Sequence, residues 1–272
     1  MPFVTINGLR LRYELTGRGA LLVMVHGSWG DHHNWDFVAP LLGKSLRVLT
    51  YDRRGHSESE RPAGQGYAQE DVDDLAALIE YFGDGKAHVA GNSFGAAIAL
   101  KLATQQPERF ESLVAHEPPL FRLLENVPEA ADALRAVAER VGAVVKTLEA
   151  GDDAGGARGF VDTVAFGPGG WEKLSATQRA TFTFNASTWL DETRDPDALR
   201  LDLDKLGAFP APALLTHGGT SPPFFPTVVK LIARHMPRAE TDVFPGSGHV
   251  PHLSQPEEYV ARVTRFLLAG AQ

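Results

Sequence analysis

Five consecutive residues, Gly91-Asn92-Ser93-Phe94-Gly95, have the Gly-x-Ser-x-Gly form in which a sharp strand-to-helix turn holds a serine hydroxyl clear of its surroundings. By chance the pattern occurs in roughly one chain in ten of this composition, so its context decides its meaning. That context fits: His88-Val89-Ala90 reads as the end of a strand, and Ala96-Ala97-Ile98-Ala99-Leu100 as the start of a helix. A hydroxyl becomes a useful nucleophile only beside a base that takes its proton. Two histidines qualify, His249 and His252. His249 is preferred because the turn Pro245-Gly246-Ser247-Gly248-His249 sets it at a strand end, which leaves His252 as a pocket or surface residue. Attack on a carbonyl also requires two donors aimed at the developing oxyanion. The Phe94 backbone N–H, directly after the serine, is one. Ser28 or Trp29 in His26-Gly27-Ser28-Trp29-Gly30 supplies the other; Ser28 is preferred, with Trp29 as a pocket wall or a core aromatic.

The elements that must hold these residues alternate between strand and helix. Phe3 to Ile6 and Leu9 to Leu15 read as a hairpin joined at Asn7-Gly8. Ala20 to His26, Leu46 to Tyr51, Ala87 to Ala90 and Ser112 to His116 are short apolar runs separated by loops and helical patterns, the rhythm of a parallel sheet built from βαβ units. Asp71 to Phe82 and Ala96 to Thr104 are the helices expected to cover it. From 118 to 206 the rhythm changes to Ala-, Glu- and Arg-rich helical stretches such as Ala130 to Leu148, with Gly-rich breaks at 151–159 and 167–170. The expected organisation is one α/β core, 1–117 and 207–272, with 118–206 inserted as a helical cap. Trp29, Trp171, Phe184, Trp189 and Phe224 are the expected pocket aromatics, with Phe166 and Phe182 as further candidates.

Composition narrows the chemistry. Hydrophobic residues are 43% of the chain and charged residues 22%, enough apolar material for a sizeable core. A net charge of −8 disfavours nucleic acid and anionic membrane as partners and favours a neutral or hydrophobic small molecule. With no cysteine there is no disulfide framework and no thiolate nucleophile or ligand. No apolar run approaches the roughly 20 residues of a membrane span, and the first residues lack a basic-then-apolar pattern, so a cytoplasmic protein is expected. Asp31-His32-His33 has no further clustered ligands around it, and no metal or cofactor is expected.

Four segments in this order, His26-Gly27-Ser28-Trp29-Gly30, Tyr51-Asp52-Arg53-Arg54-Gly55-His56-Ser57, the elbow at Ser93 and Gly248-His249 before Gln255-Pro256, resemble the α/β-hydrolase superfamily over nearly the whole chain. The resemblance implies a mostly parallel sheet with helices on both faces and a Ser-His-acid triad. One feature departs from it. The loop that usually carries the acid is here Thr216-His217-Gly218-Gly219-Thr220-Ser221-Pro222-Pro223, and no Asp or Glu occurs from Lys205 to Ala239. Glu117, directly after the strand Ser112 to His116, is the preferred substitute, ahead of Asp202, Asp204 and Asp52. Haloalkane dehalogenases place their acid after this strand, and Leu113 to Pro119 is similar to fungal zearalenone-type lactonases, which use a Glu there. Dehalogenases and epoxide hydrolases need an Asp at the elbow, so Ser93 excludes both chemistries. The resulting expectation is a cofactor-free hydrolase of a small, largely uncharged ester or lactone. C–C bond hydrolysis, peroxidation and a non-catalytic ligand receptor are the alternatives on the same scaffold.

Overall fold

The computed structural model describes residues 2–269. Strands β1 (Phe3–Ile6) and β2 (Leu9–Gly17) form an antiparallel hairpin whose turn residues Asn7 and Gly8 both have positive φ, as a tight two-residue connection with right-handed strand twist requires. Then follow β3 (Leu21–Val25), β4 (Arg47–Tyr51), helix α1 (Ala68–Gly83), β5 (Ala87–Asn92), α2 (Phe94–Gln105) and β6 (Phe110–His116). Between β6 and the next strand lie α3 (Ala131–Glu149), α4 (Asp153–Phe160), α5 (Ala176–Phe184) and α6 (Ala186–Arg194). The chain closes with β7 (Ala213–Gly218), α7 (Phe224–Ala233), β8 (Ala239–Phe244) and α8 (Pro256–Ala269).

The eight strands form one sheet in the order β1-β2-β4-β3-β5-β6-β7-β8, with every pair from β4 to β8 parallel. All five residues of β3 are buried, the pattern of a strand covered on both faces. Side-chain alternation divides them between two cores: Leu21, Val23 and Val25 join the side packed by α1 and α2, and Leu22 and Met24 the side packed by Trp35, Tyr259 and Leu267. Parallel register has a further effect. It places the carboxyl ends of β3, β5, β6, β7 and β8 along one edge, where Val25 pairs with Gly91, Asn92 with His116, His116 with Thr216, and Gly218 with Phe244. Loops after these strands are therefore neighbours however far apart they stand in sequence.

One expectation is corrected here. The Gly-rich stretch at 151–159 is not a break: most of it is helix α4. Its N-cap Asp152 accepts the Gly155 N–H at 2.8 Å, and a Cβ on Gly155 would collide with that carboxylate. A Cβ on Gly156 would collide with the Leu148 side chain, so this glycine permits close packing of α4 against α3. The break at 167–170 is present, with Gly167 and Gly169 at positive φ.

Candidate active site

Ser93 sits between β5 and α2 at φ 56°, ψ −124°, a conformation a non-glycine residue keeps only when its surroundings enforce it. The enforcement is visible. The Ser93 N–H donates to the His116 carbonyl at 2.9 Å, and its own carbonyl accepts the Ala96 N–H at 2.9 Å and the Ala97 N–H at 3.1 Å. Both flanking glycines are sterically required: a Cβ on Gly91 would lie 2.5 Å from the Gly95 carbonyl oxygen, and one on Gly95 would strike the Val25 carbonyl oxygen. Phe94 is the first residue of α2, so its N–H has no intrahelical acceptor and remains free for a ligand. The loop after β3 comes equally close, for a Cβ on Gly27 would stand 3.0 Å from the Ser93 Cβ.

Glu117 follows β6 at φ 47° and is fully buried. Its N–H donates to the Thr216 carbonyl at 3.0 Å, continuing the β6–β7 ladder by one residue. Its Oε1 accepts the Gly218 N–H at 2.7 Å, and its Oε2 lies 2.6 Å from His249 Nδ1. Because a carboxylate only accepts, the His249 ring proton belongs on Nδ1, which leaves the Nε2 lone pair unprotonated. Burial by itself pushes the Glu117 carboxyl upward, but the hydrogen bond and charge of His249, with His116 nearby, draw it down to about 2. The loop vacant of acid thus has a structural function: Gly218 supplies a donor to Glu117, and a Cβ there would sit 2.5 Å from the Ser247 and Gly248 carbonyl oxygens. His249 is further held by Asn92 Nδ2, which donates to its carbonyl at 2.9 Å, and by the stacked Phe225 ring at 5.3 Å.

Ser93 and His249 open onto a cavity of about 410 Å³, adjoined by a second of about 150 Å³ that both also line. Ser28 and Phe94 line the larger one, as do Trp189 and Phe224 among the expected aromatics. Phe166 faces both cavities and Phe182 the smaller. No lysine or arginine among the described residues lines either.

Four expected placements are corrected. Trp29 does not wall the cavity; it is fully buried at φ 67°, its ring 4.9 Å from Phe160 and 5.1 Å from Trp189, as the centre of the packing between loop and cap. Trp171 packs at the margin of the same cluster, away from the cavity. Phe184, at the end of α5, points to solvent at 66% exposure. His252 is neither pocket nor surface: it is buried 4.5 Å from the Trp35 ring, and burial lowers its pKa well below the usual imidazole range. For Trp29, Trp171 and His252 the sequence pattern indicates burial but not which of two neighbouring interiors receives the side chain.

Asp202 caps the 3₁₀ segment Leu203–Ala208 by accepting the Asp204 N–H, and both Asp202 and Asp204 are exposed there. Asp52 Oδ1 accepts the His32 N–H at 2.9 Å and lies 2.6 Å from His32 Nδ1, while Oδ2 accepts the Glu58 N–H at 3.0 Å. Asp31, His32 and Asp52 form the one group of three metal-ligating side chains among the described residues. Asp31 Oδ2 accepts the Ser57 hydroxyl at 2.9 Å, both Asp52 oxygens accept backbone N–H groups, and His33 turns away to Asp36. No helix of the described residues is long and apolar enough to cross a membrane.

Sequence reasoning missed Glu192. This residue of α6 lines the larger cavity, accepts the Ser28 hydroxyl at 2.5 Å and pairs with Arg53 at 2.6 Å. No spacing or motif marks it, because its partners lie 164 and 139 residues away.

The profile of the Alpha/beta hydrolase family matches residues 22–262, and the chain belongs to that family. It is 28% identical over 264 residues to the pimeloyl-[acyl-carrier protein] methyl ester esterase of Nitrosomonas europaea, covering 92% of this chain and 97% of that one. It is 37% identical over 123 residues to an uncharacterized hydrolase, YraK, of Bacillus subtilis strain 168, covering 44% of this chain and 45% of the relative. The chain spans under half the length of the curated relatives it matches at 35–40% identity. Among solved structures it is similar to Est816, an N-acyl homoserine lactone degrading enzyme, with a TM-score of 0.74, 26% identity, and coverage of 97% of this chain and all of that one.

Proposed function

We propose that this hydrolase cleaves a carboxylic ester or lactone of a small, largely uncharged molecule through Ser93, His249 and Glu117. The observation that carries the reading is the buried Glu117–His249 pair at 2.6 Å, whose imidazole lines the same cavity as the strained serine. In this reading Ser93 Oγ attacks the carbonyl carbon while its proton passes to His249 Nε2. Glu117 holds the ring tautomer and stabilises the imidazolium. The Phe94 and Ser28 N–H groups receive the oxyanion. Collapse of the tetrahedral intermediate breaks the C–O bond, the leaving alkoxide takes the proton from His249, and the acyl group stays on Ser93. Water, deprotonated by His249, then releases the acid by the reverse sequence. With a lactone the alkoxide remains tethered, so the product is a hydroxy acid.

The segment 118–206 acts here as the cap that shapes the cavity over the 1–117 and 207–272 core. A neutral substrate is favoured because no cationic side chain among the described lining residues is available to pair a substrate carboxylate. The deciding experiment is Ser93→Ala assayed on a short-chain nitrophenyl ester, with fluorophosphonate labelling of both proteins. Turnover and labelling are expected to vanish in a folded variant. Undiminished turnover would falsify the reading. A panel of lactones, linear esters and vinylogous diketones then ranks the substrate classes, and highest kcat/KM on anionic esters, peptides or diketones would reject the preference for neutral esters and lactones.

A further inference from the structure

We infer that Glu192 is a positioning residue for the oxyanion loop: from the cap it holds Ser28 through the serine hydroxyl, and so orients the Ser28 N–H toward the carbonyl being attacked. This rests on the Ser93 reading above.

The loop 27–30 needs outside restraint. It carries Trp29 at φ 67°, and glycines occupy both of its flanks. Helix α6 provides that restraint from above. Asn185, at its N-cap, donates from Nδ2 to the Trp29 carbonyl at 3.1 Å and the Gly30 carbonyl at 2.9 Å. Two turns further on, Glu192 Oε2 accepts the Ser28 hydroxyl at 2.5 Å. The loop is thus tied to one helix at three successive residues.

The carboxylate is itself immobilised. Arg53 Nη2 donates to Glu192 Oε1 at 2.6 Å, while Nη1 donates to Asp71 at 3.1 Å. The same guanidinium lies 5.0 Å from the centre of the Phe94 ring, so it adjoins the second oxyanion residue as well. An unpaired carboxylate here would oppose the negative charge that forms on the carbonyl oxygen. Arg53 offsets that charge and leaves Glu192 to act as a fixed acceptor. Cap and oxyanion loop are then joined in one hydrogen-bonded chain, Asp71–Arg53–Glu192–Ser28.

The test measures kcat, KM and the affinity of a boronic acid, which forms a tetrahedral adduct with the serine, for Glu192→Ala, Glu192→Gln, Ser28→Ala and the Ser28→Ala/Glu192→Ala pair. Glu192→Ala is expected to lower kcat and boronate affinity by roughly 10–100-fold with KM within about threefold, the scale of a misplaced donor. Glu192→Gln, which keeps an acceptor for Ser28, is expected to regain most of that loss. Ser28→Ala should reproduce the Glu192→Ala loss, and the pair should be no worse than either alone. Additive losses, a change confined to KM, or an unaltered kcat in folded Ser28→Ala would overturn the assignment. Wild-type protein that resists fluorophosphonate labelling would instead sink the Ser93 reading itself.

Discussion

Two carboxylate–imidazole pairs stand at the carboxyl edge of this sheet, and they are nearly identical in local geometry. Glu117 follows β6 and meets His249 Nδ1 at 2.6 Å; Asp52 follows β4 and meets His32 Nδ1 at 2.6 Å. Both carboxyls are fully buried, and each is held below its ordinary range by its histidine against the upward push of burial. They differ in what the other ring nitrogen meets. His249 is one-fifth exposed and lines the cavity with Ser93. His32 is buried, its Nε2 has no hydrogen-bond partner, and the nearest carboxylate oxygen, on Glu14, is 3.8 Å away. The pair after β4 fastens a loop; in the proposed reading the pair after β6 moves a proton. Access to a cavity, not the pairing itself, separates chemistry from architecture.

The sharpest way to break that comparison is to remove each imidazole. His249→Ala is expected to lower kcat by roughly 10⁴-fold or more with a modest change in melting temperature. His32→Ala should instead destabilise the fold by about 3 kcal/mol, since it strands the buried Asp52, and leave turnover of the folded fraction near wild type. Equal loss of turnover in two folded variants would erase the distinction.

Next come the carboxylates. Glu117→Gln preserves size but frees the wrong imidazole tautomer, and a kcat loss of roughly 10²–10⁴ is expected. Asp52→Asn should show its effect in denaturant melts, at about 1–3 kcal/mol, with kcat within a few-fold. If Asp52→Asn collapsed turnover while Glu117→Gln did not, the triad would have to be reassigned.

A smaller effect concerns pH. Glu117 titrates at about 2 in the fold against an ordinary value of 4.5, so its stabilisation is present above 4.5 and lost as pH falls toward 2. Burial holds His26 near 3 and His116 near 4, so these rings add stability above their ordinary 6.5 that is lost as pH falls toward those values. Asp71, raised to about 7 by burial, acts oppositely, costing stability as pH rises from 3.8 to 7. The melting temperature is expected to decline below pH 6.5, more steeply in Asp71→Asn, and to fall less steeply between 4.5 and 2 in Glu117→Gln than in the wild type. A wild-type curve level from pH 6.5 to 3 would contradict these assignments. The smallest effects belong to Asp202→Asn and Asp204→Asn on the exposed turn, expected within about 0.5 kcal/mol and without change in kcat; a large loss in either would place a carboxylate in the site that the geometry keeps out.

What the sequence alone determined are the features enforced by local sterics and short-range pattern. The glycines at 91 and 95 admit one tight crossing of strand and helix, the unbroken apolar run of β3 marks a doubly covered strand, and the empty stretch from Lys205 to Ala239 excludes an acid there. Each follows from a few neighbouring residues and survives without knowledge of the rest. Tertiary structure alone decided which aromatics turn to the cavity, that Glu117 and His249 meet at 2.6 Å, and that Glu192 grips Ser28. Parallel register brings the loops after several strands to one edge, so the sequence could rank Glu117 ahead of Asp52 without excluding Asp52. Trp29 and Trp189 likewise lie 5.1 Å apart, yet only Trp189 borders the cavity. Such choices depend on how surfaces more than a hundred residues apart close on one another, which no local spacing encodes.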